Sequence, residues 1–171
     1  VYRFYLFYSE VSISIYYKLY LYSKRRENII MCVCCFFGHR DAPEELLPSL
    51  VSLLEELTEQ QGITVFWVGG HGQFDRLAAE AVCRLRERFP RIRLELVAAY
   101  PYAAEKPPRM ADRAFLPEGL AQAPPKAAIV RRNRWMAQHA DVVVTYLRRD
   151  TGEAYRAVCE ARRWGKRIVP L

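Results

Sequence analysis

The chain has 171 residues, of which 51% are hydrophobic and 26% charged, as expected for a globular domain and not for a disordered or fibrous chain. Lysine and arginine outnumber aspartate and glutamate by 26 to 19, and the resulting net charge of +7 favours an anionic partner. Because no cysteine and histidine pair has zinc spacing, we predict no metal site, and no motif requires a bound cofactor.

Residues 1–30 differ in composition from everything that follows. They contain seven of the eleven tyrosines and no alanine, glycine, proline or aspartate. Charged side chains also interrupt this segment before the ~18 uncharged residues that a membrane span needs, so we predict no membrane association. We expect residues 1–30 to be a non-native or disordered extension, Met31 to be the natural start and residues 31–171 to form a single domain.

The first predicted strand is the apolar run 31–37, which is typical of a strand buried on both faces of a parallel sheet. Three of the five cysteines lie in this run, so we interpret them as reduced core thiols of a cytoplasmic protein. Asp41 and Glu44 have the spacing of a helix capping box, and a helix with one leucine face is predicted after them.

The second strand, 64–68, runs directly into Gly69, Gly70 and Gly72, and a helix with a Leu77, Ala81 and Leu85 stripe follows. Glycines in such a strand-to-helix turn allow a ligand to approach the backbone, and the free N–H groups of the next helix favour an anion. The turn predicts a phosphate-bearing ligand, although a plain turn without a ligand has the same pattern.

The remaining pattern alternates strands and helices. The segment 99–125 contains six prolines and is predicted to be a functional loop or a flap, over the site or at the edge of the sheet. The other predicted elements are a strand at 92–98, a helix at 126–139, a strand at 141–146, a helix from 151 and a strand at 167–171. Together they predict an α/β fold, a Rossmann-like three-layer sandwich with a mainly parallel sheet of about five strands.

Several polar residues follow predicted strand ends, where parallel sheets bind ligands. Arg40 could contact a phosphate or pair with a nearby aspartate. Asp75 could bind a ribose hydroxyl, although the helix dipole favours a carboxylate there in any case. His39 and His71 could act as acid or base groups, but hydrogen-bonded loop histidines are more common.

Five motifs together resemble the SLOG superfamily, especially its YspA-like branch. They are Gly38-His39-Arg40, Gly69 to Asp75, Arg131 to Met136, Ala140-Asp141 and Gly152-Glu153-Ala154. The resemblance covers residues 32–171 and implies a Rossmann-like fold that binds a nucleotide or a nucleotide-derived ligand. The superfamily includes the DNA-processing protein A and the "lonely guy" phosphoribohydrolases.

The resemblance to the phosphoribohydrolases also implies a catalytic pair. Arg132 stands four residues before Met136, as the arginine of those enzymes does, and Asn133 is its neighbour. Those enzymes have a second motif, a turn with paired glycines and a catalytic glutamate. This chain lacks the paired glycines, Ala154 occupies the position of the glutamate, and Glu153 is offset from it by one residue. The implied catalytic residues are therefore Arg132 and Glu153.

These observations predict a cytoplasmic protein that binds a nucleotide or a nucleotide-derived small molecule, with a role in sensing or regulation. Two alternatives stay open, a nucleotide N-glycosidic hydrolase and a DNA-binding or DNA-processing protein, and a homo-oligomer is also compatible with the sequence. The predicted ligand-binding residues are Gly38, His39, Arg40, Gly69, Gly70, His71, Gly72, Asp75, Arg132, Asn133, Thr151 and Gly152.

Overall fold

A computed structural model describes residues 32–106 and 108–171, so the predicted extension 1–30 lies outside the described residues. The strands are β1 (Cys32–Gly38), β2 (Ile63–Val68), β3 (Arg93–Val97), β4 (Arg113–Phe115), β5 (Val142–Tyr146) and β6 (Arg167–Pro170). The helices are α1 (Leu47–Gln61), α2 (Gln73–Leu85), α3 (Pro101–Glu105), α4 (Pro125–His139) and α5 (Gly152–Arg163), with a 3-10 turn at Glu44–Leu46.

All six described strands are parallel and form one sheet in the order β4-β3-β2-β1-β5-β6. The predicted Rossmann-like α/β fold is confirmed. From β1 the chain moves outward to β4 and then returns to place β5 on the other side of β1. The loops that follow β1 and β5 therefore leave neighbouring strands in opposite directions, which opens a crevice between them.

Strand β1 is buried on both faces, as its apolar run predicts. Cys34 and Phe36 pack against α1 and α2, while Cys35 and Phe37 face the layer that contains α4 and α5. Burial raises the pKa of the Cys34 and Cys35 thiols well above the usual range, and neither forms a disulfide. These cysteines are core thiols.

The proline-rich segment contains one strand more than the sequence predicts. Strand β4 has only three residues, and it pairs with β3 at the edge of the sheet through Glu95 and Arg113 and the next two residue pairs. Three residues are too few to show the alternation of apolar and polar side chains that indicates a strand, so the sequence pattern could not identify β4.

The predicted capping box at Asp41 and Glu44 is wrong. The first turn is a 3-10 turn that starts after Pro43, without a side-chain cap. Glu44 instead accepts hydrogen bonds from Gln73 and Arg76 of α2, which links the 3-10 turn to that helix. Among the residues described, no helix is both long and apolar enough to cross a bilayer.

Candidate functional site

The carboxyl ends of β1 and β2 and the amino end of α5 enclose a cavity of about 310 Å³, hereafter the strand-end cavity. Ten of the thirteen site residues predicted from the sequence line it. They are Gly38, His39, Arg40, Gly69, His71, Asp75, Arg132, Asn133, Gly152 and Glu153. Gly70, Gly72 and Thr151 lie in the adjoining turns and do not line the cavity.

The glycines of the two strand ends make room for particular side chains. A Cβ atom on Gly38 would lie 2.3 Å from the ring of Phe74, and one on Gly69 would lie 2.3 Å from Nη1 of Arg132. Gly70 and Gly72 have φ values of 73° and 92°, which give the turn its shape. Gly69 is therefore required by the close approach of a side chain.

Asp75 holds this glycine turn from the first turn of α2. Its Oδ2 accepts hydrogen bonds from the backbone N–H of Gly69, at 3.1 Å, and of His71, at 2.9 Å. The N–H of Gln73 donates to the carbonyl of Arg40. The N–H groups of Gly69 and His71 in the turn, and that of Gln73 at the start of the helix, are thus already bonded within the protein.

The environment of Asp75 also changes its ionisation. Burial raises the pKa of this carboxyl, while the nearby Arg132 guanidinium and the N–H groups of His71 and Gly69 act in the opposite direction. The carboxylate therefore stabilises the turn at an electrostatic cost that Arg132 reduces.

Arg132 is 2% exposed and reaches the cavity from α4. Its Nη1 donates to the carbonyls of Gly69 and Val97, the latter at 3.0 Å, and its Nε donates to Oδ1 of Asn133 at 2.9 Å. Nη2 makes no hydrogen bond within residues 32–106 and 108–171. Arg132 thus ties α4 to β2 and β3, and Nη2 is the nitrogen left for a ligand.

His39 is buried, and both of its ring nitrogens are used. Nδ1 accepts the backbone N–H of Arg148 at 3.0 Å, so Nε2 carries the proton that it donates to the carbonyl of Thr151 at 3.3 Å. His71 is exposed, and its Nδ1 lies 2.8 Å from the carbonyl of Gly69. Both are hydrogen-bonded loop histidines, and His39 fixes the loop between β5 and α5.

The mouth of the cavity is positively charged. Arg40 is exposed and makes no ion pair in the part of the chain that the structure describes, although the sequence left pairing with an aspartate open. Asp41 lies instead 3.6 Å from both Arg148 and Arg149. Arg149 lines the cavity and was missed in the sequence analysis, although its position three residues after the end of β5 could have identified it.

The amino end of α5 forms the opposite wall. Thr151 precedes the helix without a side-chain cap, and Gly152, Glu153 and Ala154 line the cavity. Glu153 is exposed, and its Oε1 accepts a hydrogen bond from Arg156 at 2.9 Å. Uncapped N–H groups at the start of a helix attract anions.

Apolar residues of β1 and α4 also line the cavity. They are Phe36, Phe37, Ile129 and Met136. The three arginines Arg40, Arg132 and Arg149 exceed the two carboxylates of the lining. An apolar floor beside an excess of positive charge suits a molecule with a flat apolar part and an anionic part.

Solved structures of other proteins share this fold. The DNA processing protein A of Helicobacter pylori has a TM-score of 0.58 at 16% identity, over 82% of this chain and 65% of its own. The molybdenum cofactor carrier protein of Chlamydomonas reinhardtii has a TM-score of 0.52 at 14% identity, over 81% of this chain and 76% of its own.

A third structure, the structural-genomics target TM1055, has a TM-score of 0.53 at 17% identity and covers 81% of this chain and 72% of its own. At these identities the likeness is one of fold. No protein-family model and no curated protein sequence matches the chain.

Proposed function

We propose that the protein binds a nucleotide or a nucleotide-derived ligand in the strand-end cavity, and that it acts in sensing or regulation. The observation that carries this proposal is the cavity lining, where three arginines and an uncapped helix start adjoin an apolar floor. A nucleotide has the matching chemistry, because its base is flat and largely apolar and its phosphate is anionic.

Each part of the ligand has a candidate partner. The phosphate would accept hydrogen bonds from the start of α5, from Nη2 of Arg132 and from Arg149. The base would pack against Phe37 and Met136 on the apolar side. The glycine turn would act mainly by holding Arg132 in position, since its own N–H groups are largely bonded to Asp75.

Two finer assignments belong to the same proposal. The motif Gly38-His39-Arg40 and the motif from Gly69 to Asp75 support the YspA-like branch of the SLOG superfamily. The unpaired buried thiols Cys34 and Cys35 support a cytoplasmic location, because reducing compartments keep such thiols free.

Calorimetry with a nucleoside monophosphate panel tests the proposal through a matched pair of arginines. Arg148 and Arg149 have similar exposure, at 57% and 56%, and both lie 3.6 Å from Asp41, but only Arg149 lines the cavity. Arg149→Ala should weaken binding by about 1.5 kcal/mol, roughly tenfold, while Arg148→Ala should leave the affinity nearly unchanged. Equal effects of the two substitutions on affinity would contradict the proposed contact between the phosphate and Arg149.

A nucleotide N-glycosidic hydrolase is the second candidate, because Arg132 and Glu153 line the same cavity. Glu153 would stabilise the positive charge that develops on the ribose in the transition state. Its ion pair with Arg156 and its exposure weaken that role. Release of free base by the wild-type protein, lost in Glu153→Gln with the ligand still bound, would establish catalysis.

DNA binding is a third candidate, because the H. pylori protein of the same fold is described as binding single-stranded DNA. The net charge of +7 is compatible with such binding. An affinity for single-stranded DNA that falls steeply with salt concentration, and that competes with nucleoside monophosphates, would favour this function.

A further inference from the structure

A second cavity of about 300 Å³ lies in the groove between α4 and α5, hereafter the helix groove. Side chains of both helices line it, among them Val130, Arg134, Tyr155, Cys159 and Arg163. Asn133 and Glu153 line both the helix groove and the strand-end cavity. The two cavities are therefore neighbours that share a wall of two polar side chains.

This shared wall offers hydrogen bonds to a molecule that crosses it. Asn133 accepts a hydrogen bond from Nε of Arg132 through Oδ1, which orients its amide NH₂ as a donor. Glu153 accepts one hydrogen bond from Arg156 through Oε1 and keeps Oε2 as a further acceptor. A donor beside an acceptor suits the hydroxyl groups of a sugar.

The arginines that line the helix groove outnumber its carboxylates by three to two, and Glu160 lies near two of these arginines, since Arg134 and Arg163 both lower the pKa of its carboxyl. Arg134 pairs with both carboxylate oxygens of Glu160, at 2.8 and 3.2 Å, and Arg156 pairs with Glu153. Arg163 is exposed and makes no ion pair in the described portion of the chain. The end of the groove farthest from the shared wall is thus positively charged.

The groove is also long and has an aromatic wall. Arg163 is ten positions after Glu153 in α5, which corresponds to about 15 Å along the helix axis. Tyr155 is partly exposed between them and offers a ring on which a base can stack. Each cavity by itself is at the lower limit for a small-molecule site of about 300–1,000 Å³.

We propose that the ligand is a dinucleotide, in which two nucleoside units are joined through phosphate. One unit occupies the strand-end cavity, its sugar contacts Asn133 and Glu153, and the second unit extends along the helix groove past Tyr155 towards Arg163. This inference rests on the proposed function, and it specifies that the nucleotide-derived ligand contains two nucleoside units.

Two matched pairs of variants in the full-length protein test the inference. Val130→Trp fills the helix groove from α4, and its control is Gln138→Trp, an exposed site on the same helix that lines neither cavity. Arg163→Ala removes the groove cation that forms no ion pair within the described residues, and its control is Arg162→Ala, the exposed neighbour outside the groove. The probes are AMP, GMP, CMP and UMP and the corresponding 5′-phosphorylated homodinucleotides, measured by calorimetry.

We expect at least one dinucleotide to bind tenfold or more tightly than its mononucleotide. Val130→Trp should reduce this affinity to the mononucleotide level, Arg163→Ala should reduce it several-fold, and both should leave mononucleotide binding within about twofold of wild type. If Val130→Trp does not fold, the dinucleotide affinity of Arg163→Ala alone tests the inference. The two control variants should behave as wild type.

Other outcomes overturn the inference in distinguishable ways. Equal affinities for mononucleotides and dinucleotides would refute the dinucleotide and leave the proposed function intact. A change in oligomeric state in Val130→Trp would assign the groove to contact between copies of the chain and overturn the inference. Failure of every probe to bind the wild-type protein would contradict the proposed function itself.

Discussion

At the scale of single residues, Arg132 and Asp75 organise the site by holding backbone groups. Arg132 reaches the carbonyls of Gly69 and Val97, and Asp75 reaches the N–H groups of Gly69 and His71. The same two side chains were predicted from the sequence to bind the ligand. Within the described residues, Nη2 of Arg132 and Oδ1 of Asp75 make no hydrogen bond, so the first effect of the two side chains is to fix the shape of the cavity.

Replacing Arg132 should therefore reduce stability as well as any binding. Arg132→Ala removes hydrogen bonds from a buried charged donor, and such bonds contribute about 1.5–3 kcal/mol to the free energy of unfolding. Arg131 is the exposed neighbour on α4, and Arg131→Ala should change this free energy by less than about 0.5 kcal/mol. Urea denaturation of both variants measures the difference, and equal stabilities would argue against the structural role of Arg132.

The raised pKa of Asp75 predicts the pH dependence of stability. The folded state holds the proton to a higher pH than the unfolded state, whose carboxyl pKa is about 3.9. The contribution of Asp75 is thus fully present below that value and is lost as the pH rises through the raised pKa. In unfolding titrations, the stability of wild type relative to Asp75→Asn should fall as the pH rises above about 4. A difference that grows with pH would contradict the burial of Asp75.

At the scale of elements, the loop between β5 and α5 depends on His39. The two ring nitrogens bond the backbone of Arg148 and Thr151, on either side of Arg149. His39→Phe keeps a ring of similar size and removes both hydrogen bonds, so amide exchange in residues 147–152 should become faster. Hydrogen-exchange mass spectrometry measures this, with His139→Phe at the far end of α4 as the control. Unchanged exchange in the loop would show that His39 does not hold it.

The elements that the sequence predicts well are those with strong periodicity. The apolar run of β1 and the leucine face of α1 are confirmed, because burial on two faces or on one stripe leaves a clear pattern. Strand β4 has three residues and no such pattern, and Glu44 bonds a distant helix that no local rule could identify. Site residues were found where they follow strand ends, and Arg132 and Asn133 were found through the family resemblance, whereas the internal hydrogen bonds of all these residues depend on tertiary packing.

At the scale of the whole molecule, the described sheet and its two helical layers lie within residues 32–171. The sharp change in composition after residue 30 suggests that the preceding segment is not part of this unit. A chain that begins at Met31 should unfold at a temperature within a few degrees of the full chain, as measured by circular dichroism. Loss of the cooperative transition would refute the predicted domain boundary.

The central claim is that a nucleotide occupies the cavity at the carboxyl ends of β1 and β2, and chemical-shift mapping during a nucleoside monophosphate titration tests it most directly. We expect the largest amide shifts in residues 38–40, 69–72 and 149–154, which lie at or beside the cavity. We also expect small shifts at Gly119 and Gly165, which lie outside the cavity. Saturable binding with its largest shifts at the amino ends of the strands, or no shifts with any of the four nucleotides, would contradict the central claim.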